Sequence, residues 1–376
     1  MCRVKVIGAG IGGLAAAIGL QRRGFQVAVF ERAAGPAHVG SGLSLFGNGF
    51  RALDVVGVGD EVRALGMPQA GLRAGQRRPD GRWLATIPSS ALSELRVVHR
   101  ADLHRVLAEA LEPGTVRYGV AATAEPEDYD VVVAADGLRS ATRASWPGDP
   151  GVRYSGYSTW RGVTSRPVDV GGAAGETVGR GERFGMAPLA DGRVYWFGVA
   201  SMPLDGSVGL DGSVGLDGSA GLDGGAGEVR RRFGGWHAPI AALLDATEPA
   251  AIFRTGIYDL AGPLATFRRE RTVLLGDAAH AMTPDLGQGA GQAIEDAATL
   301  AVLLAGASDI DEALTAYDKI RRARTQPIAV RARQMGRLMQ SRSPLRDLAL
   351  RLTPQRLVSA QLSEMQAWQP PPAAAS

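Results

Sequence analysis

The sequence predicts an α/β protein with a dinucleotide-binding unit, an interleaved β-rich region and helices toward the C-terminus. Three observations predict this fold class. The chain opens with a βαβ pattern that contains a glycine-rich turn, and two later buried strands end in Asp-Gly and Gly-Asp. Between these motifs lie strand patterns joined by Asp-Gly turns, and the last third of the chain has helical periodicity.

The composition is that of a folded protein and excludes several classes. The 376 residues are 45% hydrophobic and 21% charged, which supplies enough apolar material for a core. The net charge is +3, and the basic residues are spread along the chain instead of forming a nucleic-acid stripe. One cysteine and five histidines without ligand spacing predict no disulfide framework and no metal site. No apolar run reaches the ~18–20 residues of a membrane span, and we expect a cytoplasmic protein.

The first βαβ unit has the features of a dinucleotide site. A β-branched run at residues 4–7 enters the motif G-x-G-x-x-G at 8–13, a helix follows, and a second strand ends at Glu31. Glycines let the backbone approach a pyrophosphate, which the helix N-terminus also attracts. An acid at the position of Glu31 can bond two ribose hydroxyls. This glycine spacing argues against a signal peptide, which residues 1–20 otherwise resemble.

Two further strands end in acidic motifs. Residues 131–135 form an apolar run that leads to Asp136 and continues through glycine toward Arg-Ser. Residues 273–275 lead in the same way to Asp277, and a second glycine-rich segment at 284–291 precedes a helix. An aspartate at a strand end can accept hydrogen bonds from hydroxyl groups. Backbone N–H groups at a helix start attract anionic atoms.

The middle of the chain has strand patterns and the last third has helical ones. We predict strands over residues 72–76, 82–87, 154–164, 183–188 and 193–200. We predict helices over residues 103–111, 230–233, 237–244, 292–304, 312–324 and 345–352. Pro327 is expected to end the helix that begins near residue 312. Residues 204–227 contain four hexapeptides close to LDGSVG, which indicate a low-complexity surface loop and not a calcium site or a solenoid.

Together these motifs resemble those of the FAD-dependent aromatic hydroxylases, the p-hydroxybenzoate and salicylate hydroxylase-like monooxygenases. The resemblance covers residues 1–340 and includes all three fingerprints of that family in order. It implies a Rossmann-like FAD-binding domain with an interleaved β-sheet substrate domain and C-terminal helices. We therefore expect the FAD-binding domain at residues 1–68, 97–150 and 265–340, the substrate domain at 69–96 and 151–264 with the loop 204–227, and a C-terminal helix with a frayed tail at 341–376.

The resemblance also implies which residues contact a non-covalently bound FAD. These are Gly8, Gly10, Gly12, Gly13, Glu31, Arg32, Ser44, Arg100, Val120, Asp136, Asp277, Gly287, Gln288, Gly289, Ala290 and Gly291. Asp136 would serve both FAD and the nicotinamide donor, with a plain turn and helix cap as the alternative. Two features depart from the family. Residues 119–129 are too few for its usual β-meander, and Gly291 stands where many relatives have Asn or Cys.

The substrate side follows from residues 154–162, which resemble the start of the substrate sheet in salicylate- and urate-hydroxylase-like members. Arg183, Tyr195 and Asp285 align with positions that line the active site of urate hydroxylases, so the resemblance implies catalytic roles for them. Each has an alternative role: Arg183 as an ion pair on a strand face, Tyr195 as a core residue with a bonded hydroxyl, and Asp285 as a helix cap. His280 is expected to be structural.

The resemblance implies a monooxygenase that consumes O2 and NADPH or NADH. Reduced FAD would react with O2 to give a flavin hydroperoxide, which transfers one oxygen atom to an aromatic, phenolic or polyketide-like small molecule. Epoxidation, Baeyer–Villiger insertion, a non-oxygenating reductase or dehydrogenase, and a flavin-binding protein without turnover remain alternatives. No second G-x-G-x-x-G follows a strand, so the hydride donor is expected to bind in a groove. We expect a monomer or homodimer without nucleic-acid or membrane partners.

Overall fold

The computed structural model describes residues 2–36, 41–125, 128–203 and 225–372. Within these ranges the strands are β1 (Arg3–Ile7), β2 (Gln26–Glu31), β3 (Gly42–Leu45), β4 (Arg73–Arg77), β5 (Trp83–Ile87), β6 (Arg96–His99), β7 (Val116–Tyr118), β8 (Val131–Ala134), β9 (Val152–Val163), β10 (Ala173–Val178), β11 (Glu182–Pro188), β12 (Val194–Ser201), β13 (Phe253–Leu260), β14 (Arg268–Arg269) and β15 (Thr272–Leu274). The helices are α1 (Ile11–Gln21), α2 (Gly47–Val56), α3 (Gly59–Arg63), α4 (Arg100–Glu109), α5 (Ala141–Ala144), α6 (Ala226–Phe233), α7 (Ile240–Asp245), α8 (Asp277–His280), α9 (Gly289–Gly306), α10 (Ile310–Met339), α11 (Leu345–Leu352) and α12 (Gln355–Gln366). Residues 204–224 of the predicted repeat loop lie outside the described residues.

The first sheet has six strands in the order β14-β15-β8-β1-β2-β7. All its pairs are parallel except β14 with β15. The apolar runs of β1 and β8 are buried because helices cover the sheet, as is usual where parallel strands are linked by helical crossovers. α1 packs against α9 in the same apolar core. This sheet forms the predicted dinucleotide-binding unit.

The second sheet has seven strands in the order β13-β9-β12-β11-β10-β4-β5. Its pairs are antiparallel except β10 with β4. Alternate side chains point to opposite faces, so Trp160, Phe184 and Trp196 pack into an apolar core with Phe233 of α6. The residues between them face the other way, toward the first sheet. A separate two-stranded ribbon pairs β3 with β6.

The C-terminal part is helical, and here one prediction is wrong. α10 does not end at Pro327 but continues to Met339. Pro327 removes the hydrogen bond to the carbonyl of Ala323, and both residues are exposed, so water can satisfy that carbonyl. Buried residues on both sides of the proline, including Arg321, Ile328 and Ala332, hold the helix in place by packing.

The predicted fold class is confirmed, and several elements are additional to those predicted. The strands β3, β6, β10 and β13 and the helices α2 and α12 have no predicted counterpart. Predicted elements that are present begin or end within a few residues of the observed ones; the helix predicted at 237–244, for example, is Ile240–Asp245. The division into domains remains a prediction. None of the helices in the described ranges is long and apolar enough to cross a membrane.

Candidate active site

A cavity of about 370 Å³ lies between the ends of the parallel strands and one face of the seven-stranded sheet. The wall that follows β1, β8 and β15 consists largely of glycines and small residues, among them Gly10, Gly12, Gly137, Gly276 and Gly289. The opposite wall is polar and aromatic and includes Arg161, Glu176, Arg183, Tyr195 and Phe197. Ligands of open α/β sheets bind at the carboxyl ends of the strands. The cavity therefore joins a backbone-lined ligand site to a polar sheet face.

The turn after β1 has room for side chains at only one of its glycines. Gly8 has a φ of +100°, and a Cβ on Gly13 would lie 2.0 Å from the Gly8 carbonyl oxygen. A Cβ on Gly12 would lie 2.6 Å from Leu275 Cδ2. A Cβ on Gly10 would meet nothing within 4 Å, because this residue borders the cavity. Three glycines thus build the turn, while Gly10 opens it to a ligand at the N-terminus of α1.

Glu31 braces this turn at the end of β2. Its Oε2 accepts a hydrogen bond from the Ala9 N–H at 2.8 Å, and its Oε1 accepts one from the Ala33 N–H at 2.8 Å. Each oxygen keeps a lone pair for a hydroxyl group. Arg32 is exposed next to it, and the Val120 N–H donates to the Glu31 carbonyl at 2.9 Å. The structure brings Glu31, Arg32 and Val120 together, and their contact with FAD remains a prediction.

Ser44, Arg100 and Asp277 all face the cavity. Asp277 begins α8 directly after β15 and is exposed. In the described part of the chain its carboxylate has no hydrogen-bond partner. Burial lowers the pKa of the Arg100 guanidinium, and the nearby charge of Asp277 opposes that shift. These groups are available to a ligand with hydroxyl and phosphate groups.

The segment at the start of α9 divides into two parts. Gly287, Gly289 and Ala290 border the cavity, and Gly287 has a φ of +64° that favours glycine. Gln288 is buried behind them, with its Oε1 accepting a hydrogen bond from Asn48 Nδ2 at 3.0 Å. Gly291 is also buried, and a Cβ there would lie 3.4 Å from Asn48 Nδ2. A side chain at 291 would thus point toward Asn48.

Asp136 follows β8, and only one of its two carboxylate oxygens has a hydrogen-bond partner among the described residues. Its Oδ2 accepts a hydrogen bond from the Thr142 N–H at 3.1 Å. Its Oδ1 is buried and has no partner among the described residues. Its neighbours Ala135 and Gly137 line the cavity. Because buried polar atoms are nearly always bonded in folded proteins, the orphaned oxygen favours a ligand hydroxyl at this position.

A buried ionic network that the sequence analysis does not reveal lies behind the cavity. Arg321 of α10 donates to Asp296 Oδ1 at 2.6 Å and to Glu295 Oε2 at 2.7 Å, and all three side chains are fully buried. His280 Nε2 lies 2.6 Å from Asp296 Oδ2, which also accepts the Gly276 N–H at 2.8 Å. Burial raises the pKa of Asp296, but His280 and Arg321 outweigh it and the pKa is lowered. The network holds α8, α9 and α10 together directly behind Asp277, which agrees with a structural His280.

Arg183 and Asp285 form a buried ion pair on the sheet side. Arg183 Nη1 lies 3.3 Å from Glu176 Oε2, and Asp285 Oδ2 accepts a hydrogen bond from the Tyr157 hydroxyl at 2.6 Å. Burial opposes the charge of Arg183, but the two carboxylates outweigh it and raise its pKa. Burial and Asp285 raise the pKa of Tyr157. Arg183 lines the cavity, whereas Asp285 is enclosed and can act on a ligand only through Arg183.

Tyr195 of β12 borders the cavity beside Phe197, with 6.0 Å between the ring centroids. No other described residue forms a hydrogen bond with its hydroxyl, which is therefore available to a ligand. Burial raises the pKa of this hydroxyl, the charge of Arg161 opposes the shift, and Glu176 adds to it. The structure thus places Arg183 and Tyr195 on the cavity wall and Asp285 behind it. Their catalytic roles remain predictions.

Arg161 and Glu176 are cavity residues that the sequence analysis does not single out. Arg161 lies within the run 154–162, and its alternation with Thr159, which also lines the cavity, could have identified it. Glu176 lies on β10, whose sequence AAGETV has no alternating polar pattern. The chain around Glu176 therefore carries no local signal that it reaches the site.

The residues present fit FAD. An open Gly10 at the N-terminus of α1 suits an anionic pyrophosphate. The carboxylate of Asp277 and the Oδ1 of Asp136, which have no partner in the described part of the chain, suit hydroxyl groups. The backbone at 287–290 offers N–H groups at the start of α9, where a helix dipole stabilises negative charge.

Comparisons with known proteins agree with this geometry. A family profile described as "FAD binding domain" matches residues 1–131 and 244–332. Aurachin C monooxygenase/isomerase of Stigmatella aurantiaca is 34% identical over 358 residues, which cover 90% of this chain and 89% of that protein. The 2-heptyl-3-hydroxy-4(1H)-quinolone synthase of Pseudomonas aeruginosa is 33% identical over 374 residues, which cover 93% of this chain and 94% of that protein.

A solved structure has the same fold over nearly the whole chain. The crystal structure of Klebsiella pneumoniae HpxO complexed with FAD and uric acid superimposes with a TM-score of 0.83. The alignment covers 97% of each chain, at 28% sequence identity.

Proposed function

Since this chain belongs to the family of FAD-dependent aromatic hydroxylases and is an FAD-dependent monooxygenase, we propose that it uses NADPH or NADH to insert one oxygen atom of O2 into a planar aromatic or heteroaromatic small molecule. The observation that carries the proposal is the cavity, which joins the glycine-lined wall to the polar face of the seven-stranded sheet. A cofactor on the first wall and a substrate on the second would meet inside it.

The glycine-lined wall of the cavity is assigned to FAD. Bound FAD supplies the redox chemistry that activates O2 once it has been reduced. The turn at 8–13 and the N-terminus of α1 would hold the pyrophosphate of FAD, and Glu31, Asp136 and Asp277 would accept hydrogen bonds from the hydroxyl groups of FAD. The backbone at 287–290 would donate hydrogen bonds to the electron-rich edge of the flavin ring system. The buried network around Arg321 keeps α8 and α9 in position.

The polar wall of the cavity orients the substrate ring. The two carboxylates beside Arg183 keep it charged, so it can hold an oxygen or nitrogen acceptor of the substrate. The Tyr195 hydroxyl, which has no other bond in the described structure, donates to or accepts from the substrate. Asp285 and Tyr157 position Arg183. The names of the relatives, which mention quinolones and uric acid, support a nitrogen heterocycle as the substrate.

We expect the hydride donor to bind in a groove that leads to the cavity. The sequence has one G-x-G-x-x-G motif after a strand, which the cofactor occupies, so NADPH or NADH would bind in a groove. The cytoplasmic location and the monomeric or homodimeric state remain predictions.

The test is a measurement of oxygen transfer. The protein should purify yellow and release all its flavin as FAD on acid treatment. With a panel of quinolones, hydroxypyridines and phenols, we expect substrate-dependent consumption of O2 and NADPH or NADH, and one 18O atom from 18O2 in the product. If substrate binding shifts the conformational equilibrium by ~3 kcal/mol toward the form in which the flavin can be reduced, flavin reduction should accelerate about a hundredfold. Stopped-flow absorbance at the flavin band measures this rate.

A control with H2 18O should leave the product unlabelled. Fast flavin reduction that needs no substrate, together with no oxygenated product from any panel member, would favour a non-oxygenating reductase. A colourless protein that also fails to bind added FAD would contradict the whole assignment.

A further inference from the structure

One cross-strand row of the seven-stranded sheet runs along the cavity wall. The register pairs Arg161 of β9 with Phe197 of β12, Phe197 with Gly185 of β11, and Gly185 with Glu176 of β10. Residues directly opposite on neighbouring strands project from the same face. Arg161, Phe197 and Glu176 all line the cavity. The row therefore presents a guanidinium, an aromatic ring and a carboxyl group in that order.

The middle of this row is an aromatic surface. Gly185 has no side chain, and the ring of Phe197 occupies the space above it, since a Cβ at 185 would lie 2.1 Å from Phe197 Cζ. Arg161 and Glu176 are three strand spacings apart, ~14 Å between their Cα atoms. Their polar groups can therefore engage opposite edges of one ligand, with the Phe197 ring on the wall between them.

The Arg161 end of the row is a cation without a bonded partner among the described residues. Its side chain is half-buried on the cavity wall, and no other described residue forms a hydrogen bond or ion pair with it. Tyr195 lies two residues before Phe197 on β12, so it projects from the same sheet face as Arg161 and lines the same cavity. A partly buried guanidinium without a carboxylate favours a ligand oxygen that accepts hydrogen bonds.

The Glu176 end of the row has an acceptor to spare. Two carboxylates, Glu176 and Asp285, share the single guanidinium of Arg183. Glu176 Oε2 makes a long contact of 3.3 Å to Arg183 Nη1, and its Oε1 has no partner in the described structure. The Glu176 side chain is 24% exposed, whereas that of Asp285 is completely enclosed. Glu176 is thus the carboxylate that can accept a hydrogen bond from a ligand N–H.

We propose that this row selects and orients the substrate as a planar heteroaromatic ring over Phe197, with a carbonyl or hydroxyl oxygen at Arg161 and a ring N–H at Glu176. The inference rests on the proposed function, because it describes how the same cavity holds the molecule to be oxygenated. Vinylogous amides such as 4(1H)-quinolone have this pattern, with an acceptor oxygen and a donor N–H on opposite sides of one ring. Arg161 and Glu176 are then specificity-determining residues.

The test compares two probes on the FAD-loaded protein by isothermal titration calorimetry. 4(1H)-Quinolone carries both the oxygen and the N–H, and in 1-methyl-4(1H)-quinolone a methyl group replaces the hydrogen of the N–H. Wild-type protein should bind the first about tenfold more tightly, because the N-methyl probe leaves the partly buried Glu176 acceptor without a donor. Glu176→Met should bring this ratio close to one. Arg161→Met should weaken both probes about tenfold and leave the ratio unchanged.

Glu176→Gln is the matched control, since it keeps an acceptor oxygen and should retain most of the preference. Equal affinities of the wild type for both probes, or failure to bind either, would overturn the inference. So would a Glu176→Met variant that loses both probes equally, because Glu176 would then act only through Arg183. Loss of FAD from Arg161→Met would assign that residue to the cofactor instead and also overturn it. The proposed function is judged separately, by the FAD content and 18O incorporation of the wild type with the substrate panel.

Discussion

Single charged residues of this protein differ in whether the fold itself supplies their partners. Arg321 and Asp296 are satisfied within the protein and are completely buried. Asp277 and Arg161 have no partner in the described structure, and both face the cavity. A charge that the fold leaves unbonded at a cavity wall is available to a ligand, whereas a paired buried charge holds elements together. This contrast separates binding residues from structural ones at the same site.

Asp277→Ala should weaken FAD binding without unfolding the protein. The carboxylate faces the cavity and makes no hydrogen bond within the described structure, so its removal disturbs few protein contacts. Loss of an ionised acceptor for ligand hydroxyls should raise the Kd for FAD about tenfold to a hundredfold. Flavin fluorescence titration of the apoprotein measures this. Asp277→Asn keeps one acceptor oxygen and should lose less, and an unchanged Kd in Asp277→Ala would mean that FAD does not contact this residue.

At the scale of elements, the turn between β1 and α1 separates two uses of glycine. Gly13 lets α1 pack against the turn, since a Cβ there would lie 2.0 Å from the Gly8 carbonyl oxygen. Gly10 has an extended conformation with φ of −72°, which other residues adopt, and has open space where its side chain would be. Gly13 is therefore required by the fold, whereas the fold places no such constraint on Gly10.

Gly13→Ala and Gly10→Ala should consequently change different properties: the first the stability of the fold, the second the affinity for FAD. Gly13→Ala overpacks the turn and should lower the free energy of unfolding of the apoprotein by ~1–3 kcal/mol, measured by urea denaturation. Gly10→Ala should leave that value unchanged within about 0.5 kcal/mol. It should instead weaken FAD binding, because its methyl group projects into the cavity. The same FAD affinity in Gly10→Ala and wild type would place the pyrophosphate elsewhere.

Helix α10 shows why a local sequence rule can fail at this scale. The proline rule predicts an end at Pro327, but the helix runs on to Met339. The lost bond to the Ala323 carbonyl and the clash of the proline ring with it oppose continuation, and both residues are exposed, so water can reach this carbonyl. The buried residues Arg321, Thr325, Ile328 and Ala332 hold both halves against the rest of the protein. Tertiary packing therefore outweighs the local cost of the proline.

At the scale of the whole molecule, the C-terminal segment returns to the first sheet's core. Trp368 is 5% exposed and belongs to the same apolar cluster as α1 and β1. Its carbonyl accepts a hydrogen bond from Arg51 Nε of α2 at 3.0 Å, and Arg324 Nη2 donates to the Met365 carbonyl at 2.7 Å. The segment predicted only as a C-terminal helix and frayed tail thus includes a buried anchor.

Trp368→Ala should destabilise the whole protein. Deleting a buried tryptophan side chain leaves a cavity and should lower the free energy of unfolding by ~3–5 kcal/mol. Thermal and urea unfolding would measure the change. A chain that ends at residue 369 retains Trp368 and serves as the control, and it should unfold like the full chain. If Trp368→Ala and this truncation both leave stability unaltered, the C-terminal segment contributes nothing to the core.

The sequence by itself determines the local structures of this protein, whose conformation depends only on residues close together in the chain. Three features are predictable in this way: the turn at 8–13, the acidic residues Asp136 and Asp277 after buried strands, and the glycine-rich start of α9. Each is a pattern of residues close together in the chain, and the glycines occupy positions that need a small residue or a positive φ. Resemblance to urate hydroxylases on the substrate side also indicates Arg183 and Tyr195, which the structure places on the cavity wall.

Only the tertiary structure decides which distant residues meet. Arg183 and Asp285 are 102 residues apart, and their ion pair exists because β11 faces the loop before α9. The row from Arg161 to Glu176 depends on the strand order β9-β12-β11-β10, which no periodicity within one strand can reveal. Strand order and register are set by the burial of Trp160, Trp196 and Phe184 on the opposite face of the sheet. The physical reason is that burial is a property of the assembled core, whereas turn geometry belongs to the local chain.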